Sequence, residues 1–404
     1  MHPATLPSPA DAEALIRKRV PRLPTASSPL AALAGAILRE AISAERDLPP
    51  FDRVSMDGVA FASSAWRDGR RSFRVVGTQA AGAPPLALAG PGDCIEAMTG
   101  AVLPIGCDCV VPVERLRLEG ADAVIDSTLE VAPGLNVHAR GLDCRAGTRL
   151  LEPGTRLGAP ELAVLASAGR ARAEVATEPR ILVVTTGDEL IDAGEEIADW
   201  QIRRSNAAAL LAALRGRGYT RLADAHLRDD PERMRESLRA WLDTHDVLVL
   251  TGGVSMGRFD YVPSTLAALG VEEVFHKVAQ RPGKPLWFGV ASERGKAVYA
   301  LPGNPVSSLV CLVRYVLPGL AAAGTARTEA PPLQPLGEPF RVHTALSYFL
   351  PVELREGPAG TQAWPRPTRG SGDFVSLLGT QGFVELPPGP AEYPAGHLAA
   401  FHRW

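Results

Sequence analysis

The spacing of apolar residues changes along this chain, and each change predicts a different kind of element. Residues 11–20 carry apolar positions at helical spacing. Residues 29–45 do so too, with Ser28 as N-cap, Pro29 at the first helical position and "LAALAGAILREAI" as the periodic run. From about 50 to 140 the helical period is gone. "SFRVVGTQAAGA", "DCVVPVERLRLEG" and "DAVIDSTLEVAPG" are short strand candidates separated by Gly and Pro, so an all-β block is expected. "GAPELAVLASAGRA", near 158–171, returns to a helix with an early Pro and a closing Gly. That order predicts an all-β insertion into a small helical module.

From 179 to about 320, continuous apolar runs alternate with helices. "RILVVTTGDEL" and "DVLVLTGGVSMG" read as buried strands, "SNAAALLAALRGRG" and "VPSTLAALG" as helices, and "AVYALPGNPVSSLVCLVRYVL" as strand, loop and helix. Unbroken Val, Leu and Ile runs between helices imply a doubly wound parallel sheet covered on both faces. Beyond 330, "FRVHTAL" and "GFVELPPG" predict a small, barrel-like β-domain. The expected fold class is therefore multidomain, α/β plus β. Residues 1–48 and 140–177 form the helical module, 49–139 the inserted β-domain, 178–326 the α/β domain and 327–404 the C-terminal domain.

Composition agrees with several domains. The chain has 404 residues, more than one core usually organises, with 46% apolar and 22% charged residues. Its 39 Gly and 36 Pro favour tight connections. A net charge of −3 supplies no global field to recruit nucleic acid or an anionic membrane, so neither is expected as a partner. The N-terminus has no signal-peptide core, and no window reads as a membrane span. Cys94, Cys107, Cys109, Cys144 and Cys311 are odd in number and sparse, which suits reduced thiols in a cytoplasmic protein. Cys107 and Cys109, with His138 and Cys144 downstream, match no usual zinc spacing.

Candidate chemistry lies at the strand ends, where doubly wound sheets bind ligands. Three polar, glycine-rich loops sit there: Thr185-Thr186-Gly187-Asp188-Glu189, Thr251-Gly252-Gly253-Val254-Ser255 and Leu301-Pro302-Gly303-Asn304-Pro305. Glycines admit close approach, and a following helix offers unpaired N–H groups to phosphate. The dinucleotide, P-loop and common hydrolase signatures are absent. "FHKVAQRPGKPLWFG" brings Lys277, Arg281 and Lys284 close together, either as solvated strand charges or as a cationic cradle. Glu189 and Asp260 each follow a strand end. They are helix-start charges or, beside a phosphate site, ligands for Mg²⁺.

"PFDRVSMDGVAF" poses a separate question, with Asp52 and Asp57 between apolar flanks. Asp-Gly alone predicts a reverse turn. The wider context adds to that reading. "LPPFDRVSMDGVAF", "EAMTGAVLPIGCDCVV", "RGLDCRAGTRLL", "TTGDEL", "TGGVSMGRFDY", "RPGKP" and "LPGNPVSS" occur here in the order of the MoeA family. The chain resembles these molybdopterin molybdotransferases, related to the gephyrin and plant Cnx E-domains, from about residue 45 to 320. "RGSGDFVSLLGTQGFVELP" is the best match beyond that stretch.

The resemblance implies a molybdopterin-binding α/β domain, adenylylated molybdopterin and molybdate as substrates, and Mg²⁺ as cofactor. The implied reaction cleaves a pyrophosphate bond, releases AMP and inserts molybdate into the dithiolene. Carried over by position, the functional acids match Asp57, Asp143, Glu189, Asp229 and Asp260. Thr99, Lys277, Lys284, Pro302 and Pro305 match as well. The glycine loops add Thr186, Gly187, Gly252, Gly253, Ser255 and Asn304 to the substrate-binding set. Arg281 departs from the pattern, which usually has Lys. The family further implies a homodimer with sites shared between subunits, and contact with molybdopterin adenylyltransferase. Rival readings are that adenylyltransferase itself, a catalytically idle scaffold, and a tungstate-handling paralogue. The first is a single domain whose loop typically reads T-G-G-T-G.

Overall fold

The apolar runs of the second half become one six-stranded sheet in the computed structural model of the chain. Its strands are β1 (Ile181–Thr186), β2 (Leu222–Leu227), β3 (Val247–Thr251), β4 (Glu272–His276), β5 (Trp287–Ala291) and β6 (Lys296–Leu301), in the order β2-β1-β3-β6-β5-β4. The structure describes residues 6–253, 261–357, 360–389 and 392–404. Two units divide the chain: Met1–Arg39 with Pro153–Gly158 and Ala173–Trp404, and Glu40–Glu152 with Ala159–Arg172.

In the sheet, β2, β1, β3 and β6 run parallel, and β5 is antiparallel to both its neighbours, β6 and β4. The antiparallel step from β5 to β6 follows from connection length. Only Ser292–Arg294 and Gly295, in the left-handed region at φ 64°, join β5 to β6, too short for a crossover. Both faces are covered, as continuous apolar strands require. Ile181, Val183, Val249 and Tyr299 pack against helices Pro9–Arg19, Ser205–Gly216 and Pro305–Cys311 on one face. Leu182, Val184, Leu248 and Leu250 meet helices Pro231–Thr244 and Val262–Ala268 on the other.

Helix Pro305–Cys311 continues through a π-helical turn, Leu312–Val316, into Leu317–Ala323. Every residue from Val306 to Val316 is buried. By length and composition Pro305–Ala323 could cross a membrane, contrary to the sequence reading of no such window; here it is a core helix. Its Val306, Val310 and Val313 also carry the C-terminal sheet, through Phe349 and Phe383. Buried Arg314 binds Glu385 of that sheet at 2.7 Å and pairs with Glu13 of the first helix, tying three segments together.

The C-terminal sheet contains Ser347–Gly357, Gly360–Pro365, Gly382–Leu386, Leu398–Arg403 and Leu333–Pro335. Its outer strand is borrowed: Gln280–Arg281 pairs in parallel with Ser347–Tyr348.

In the other unit, six strands take the order Cys109–Pro112, Gly58–Phe61, Asp93–Ala97, Ser72–Gln79, Asp122–Ile125, Leu116–Glu119. Their core holds Phe61, Phe73, Cys94, Cys109 and Val111. The all-β expectation for this block holds apart from the short helix Ser63–Arg67.

One expected element is overturned. Residues 29–45 form no helix, but strand Thr25–Pro29, a 3₁₀ turn at Leu30–Ala32 and the short strand Ile42–Ser43. Gly35 is left-handed at φ 79°, which interrupts any helix. The N–H groups of Gly35, Leu38 and Arg39 donate instead to Leu157, Thr155 and Glu174 carbonyls, far along the chain. Leu33, Leu38 and Ile42 are buried all the same. The N-terminal part of the expected helical module therefore holds one helix, Pro9–Arg19, and its Ala12 and Ile16 belong to the core of the α/β sheet.

Candidate functional site

Parallel strands end together, so the loops after β1, β3 and β6 meet at one edge. Contact there leaves no room for side chains at Gly252 and Gly253. A Cβ on Gly252 would lie 2.5 Å from Thr186 Oγ1 and 2.9 Å from the Thr186 carbonyl. Gly252 and Gly253 are left-handed at φ 101° and 68°. A Cβ on Gly303 would be 3.5 Å from the Gly252 Cα. Thr186, Gly252, Gly253 and the Pro302–Gly303 step are thus brought together.

Polar side chains underpin these loops. Thr251 Oγ1 donates to the Pro302 carbonyl at 3.2 Å and is 2.9 Å from Ser308 Oγ, which itself donates to that carbonyl. Asn206 Nδ2 donates to Thr251 Oγ1 at 2.9 Å and to the Gly303 carbonyl at 2.7 Å. The sequence reading missed Asn206, seeing only a polar helix start.

The acids after β1 and β2 are neighbours, because Thr186 lies opposite Leu227. Gly187 N–H donates to the Leu227 carbonyl at 3.1 Å, and Asp188 Oδ1 accepts the Asp229 N–H at 3.4 Å. The N-cap of helix Pro231–Thr244 is Asp230, whose carboxylate accepts from Glu232 and Arg233. That leaves the Asp229 carboxylate outside the capping role. Glu189 starts no helix; a two-residue strand, Leu190–Ile191, follows it. Its carboxylate lies against Gly187, where a Cβ would be 2.4 Å from Oε2, and makes no hydrogen bond or ion pair among the described residues. Ser255 and Asp260 lie outside the described residues. Among the described residues no group of three His, Cys, Asp or Glu side chains is arranged to hold a metal ion.

Beside the third loop is a cavity of about 330 Å³. Arg281, Lys284 and Arg369 line it, with Pro302, Asn304 and Tyr348. No acidic residue lines it, and none of the three cations has an ion-pair partner among the described residues. Of the expected cradle, Arg281 and Lys284 are brought together; Lys277 does not line the cavity. Lys277 is left-handed at φ 75°, and its N–H donates to Leu286 where the chain doubles back.

The cradle loop is held from below. Gln280 is fully buried; its amide donates to the Pro282 carbonyl at 3.1 Å, and its oxygen accepts the Tyr315 hydroxyl. Arg281 is an exposed residue of a short strand, so the solvated-charge reading describes its backbone setting and the cavity its side-chain setting. Asn304 Nδ2 donates to Ser371 Oγ at 2.7 Å, and Val306 N–H to the Ser371 carbonyl at 2.9 Å. These bonds bring the Arg369–Ser371 loop over the start of helix Pro305–Cys311. Sequence reasoning missed Arg369; its signal was a cation followed by glycine in "RGSGDF", within the stretch that best matches the family beyond residue 320.

Asp57, Thr99 and Asp143 belong to the other unit. Asp57 Oδ1 accepts the Thr99 N–H at 2.6 Å. That bond, then one from the Thr99 side chain, holds the exposed carboxyl below its ordinary pKa. Asp57 is thus anionic and oriented. The turn reading needs correction: Gly58 opens strand Gly58–Phe61 and has no positive φ. Its lack of a side chain serves close packing, since a Cβ would lie 2.0 Å from the Val111 carbonyl oxygen. Asp143 Oδ1 is 2.8 Å from His138 Nε2. Strands Arg53–Val54 and Val137–His138 pair, joining the Asp57 and Asp143 segments within one unit.

Residues 7–169 match the MoeA N-terminal region (domain I and II), and residues 182–322 match the probable molybdopterin binding domain. A molybdopterin molybdenumtransferase of Synechocystis sp. is 41% identical, over 92% of this chain and 93% of its own length. The chain belongs to the molybdopterin molybdenumtransferase family. A Staphylococcus aureus member is 30% identical over 89% of this chain and 87% of its own. The crystal structure of a molybdopterin biosynthesis MoeA protein from Pyrococcus horikoshii is similar at TM-score 0.83 and 25% identity, covering 99% of this chain and 100% of that one. The family's domain pattern accounts for the motif order along the chain.

Proposed function

We propose that this chain performs the reaction its relatives are named for, in the cytoplasm. It binds adenylylated molybdopterin, cleaves the pyrophosphate bond to release AMP, and inserts molybdate into the dithiolene. One observation carries this reading: three glycine-bearing strand ends converge beside a cavity lined by Arg281, Lys284 and Arg369 and, among the described residues, by no acid. The Gly253 backbone, with no side chain to keep a ligand away, suits phosphate oxygens, while the Gly252 N–H already donates to the Leu301 carbonyl at 3.1 Å. Arg281, Lys284 and Arg369 suit a compact tetrahedral dianion such as molybdate.

Cleavage adds water across the phosphoanhydride: a P–O bond forms to the water oxygen and the bridging P–O bond breaks. The carboxylates of Glu189 and Asp229 stand at the strand ends to orient that water and take its proton. Magnesium fits this site, because Mg²⁺ commonly takes one or two carboxylates beside substrate phosphates, and the Glu189 carboxylate has no partner among the described residues. Glu189 and Asp260 would hold it. When bound, it supplies positive charge to the phosphate oxygens. Asp57 and Asp143 complete the acid set. A homodimer with sites shared between subunits belongs to the same proposal.

The test is AMP release and molybdenum insertion by the purified chain given adenylylated molybdopterin, molybdate and Mg²⁺. Both products are expected in equal amounts. Neither product above the protein-free rate overturns the proposal.

A further inference from the structure

The glycine loops and the cationic cavity have one segment in common, Pro302–Asn304. Its glycine abuts Gly252, while Pro302 and Asn304 line the cavity. Side chains under the sheet edge hold the Pro302 and Gly303 carbonyls of that segment. Asn206 adds a tie between the two loops beside the direct bond from Thr251 Oγ1 to the Pro302 carbonyl: one amide nitrogen donates to Thr251 Oγ1, at the end of β3, and to the Gly303 carbonyl, after β6. Ser308 Oγ lies farther off, at 3.5 Å. Thr251 passes the contact on to Pro302 and Ser308.

The other end of the same carboxamide has no partner among the described residues: Asn206 Oδ1 is buried and accepts no hydrogen bond from them. An amide with half its capacity unmet contributes little net stability, since an unsatisfied buried acceptor offsets what the donors gain. Nor does Asn206 cap its helix: Arg204 is the N-cap, and no side chain caps. What the residue does supply is a rigid tie between two loops that face two ligand sites.

We infer that Asn206 is a positioning residue that couples the two sites, so that a phosphate ligand on the glycine loops changes the affinity of the cavity for an oxyanion. This rests on the proposed reading of the site. Displacing Gly252 moves Gly303 through the amide, and Gly303 carries Pro302 and Asn304 with it. By linkage the effect is reciprocal: each ligand changes the other's affinity by the same factor. The reaction needs such coupling, because molybdate must be in place when the adenylyl group leaves.

The test is calorimetric titration of the full chain with molybdate, alone and with saturating AMP and Mg²⁺. In the wild type, AMP is expected to change molybdate Kd by about 5-fold or more, the lower end of typical coupling. In Asn206→Ala the change is expected to fall below about 2-fold, while the Kd for molybdate alone stays within about 3-fold of wild type. Thr251→Val, which preserves shape and removes the relaying hydroxyl, should also lose coupling; its unfolding midpoint should fall, because buried partners lose a hydrogen bond, so titration is done well below that midpoint. A merely structural role would weaken both ligands alike and leave their ratio intact. Undiminished coupling in Asn206→Ala, or independent binding of both probes by the wild type, overturns the inference. If neither probe binds the wild type, the site reading itself fails, and this inference with it.

Discussion

Replacing Arg369 by Ala tests the cavity at the residue that sequence reasoning missed. Arg369 lines the cavity with Arg281 and Lys284; the Asp373 carboxylate accepts its backbone N–H at 3.4 Å and feels its charge, without forming an ion pair within 4 Å. Its removal strands no buried partner, so thermal stability should change by no more than about 0.5 kcal/mol, as for ordinary surface positions. Binding is another matter. A hydrogen bond to a charged group contributes about 1.5–3 kcal/mol, and exposure of all three cations argues for the lower end. About 1.5 kcal/mol corresponds to roughly a 10-fold rise in Kd for molybdate. Arg281→Ala should cost a similar factor. Arg281→Lys keeps the charge and loses the planar fork, so its effect should stay within about 3-fold. The assay is titration with molybdate at two ionic strengths, and wild-type affinity should weaken as salt rises. Equal Kd values for wild type, Arg369→Ala and Arg281→Ala would show that the cations are solvated surface charges and refute the cradle.

Asp57→Asn retains an oxygen for the Thr99 N–H and removes only the charge. AMP release should fall at least about 100-fold with an unchanged unfolding midpoint; near-normal turnover would remove Asp57 from the chemistry. Gly252→Ala forces a Cβ to 2.5 Å from Thr186 Oγ1 at φ 101°, so a stability loss of about 1–3 kcal/mol in urea unfolding is expected, with loss of AMP binding. Asp246 is partly buried, which favours its neutral form, but hydrogen bonds from Arg180 and Lys296 outweigh this and hold its pKa well below the carboxylate range. Its stabilisation is therefore full above the unfolded value, near about 4, and lost as pH falls below it toward the depressed folded value. Urea unfolding from pH 7 to 2 should show a shallower acid decline for Asp246→Asn than for wild type. For the dimer, light scattering should give twice the chain mass, and mixing inactive Asp57→Asn with inactive Asp260→Asn should restore partial turnover; a monomer, or no restoration despite subunit exchange, would count against shared sites.

The sequence alone determined the strands β1, β3 and β6 and the glycine loops after them. A strand buried on both faces must be continuously apolar, and a backbone packed against a ligand or a neighbouring loop must lack side chains. Both requirements are written in consecutive residues. Residues 29–45 show where that reasoning stops. Helical spacing is satisfied there by the pairs Leu33 and Ile37, and Leu38 and Ile42, each four residues apart, yet hydrogen bonds to residues more than 100 positions away make the segment extended. Gly58 is similar: its local neighbours suggest a turn, and only the Val111 backbone across the sheet explains the glycine. The cationic cavity needed tertiary structure most of all. Arg281 and Lys284 are three residues apart, but Arg369 joins them because Gln280–Arg281 pairs with Ser347–Tyr348 and Ser371 binds Asn304. Pairing over such separations is decided by which surfaces fit and which N–H groups find acceptors, and no local pattern of residues records it.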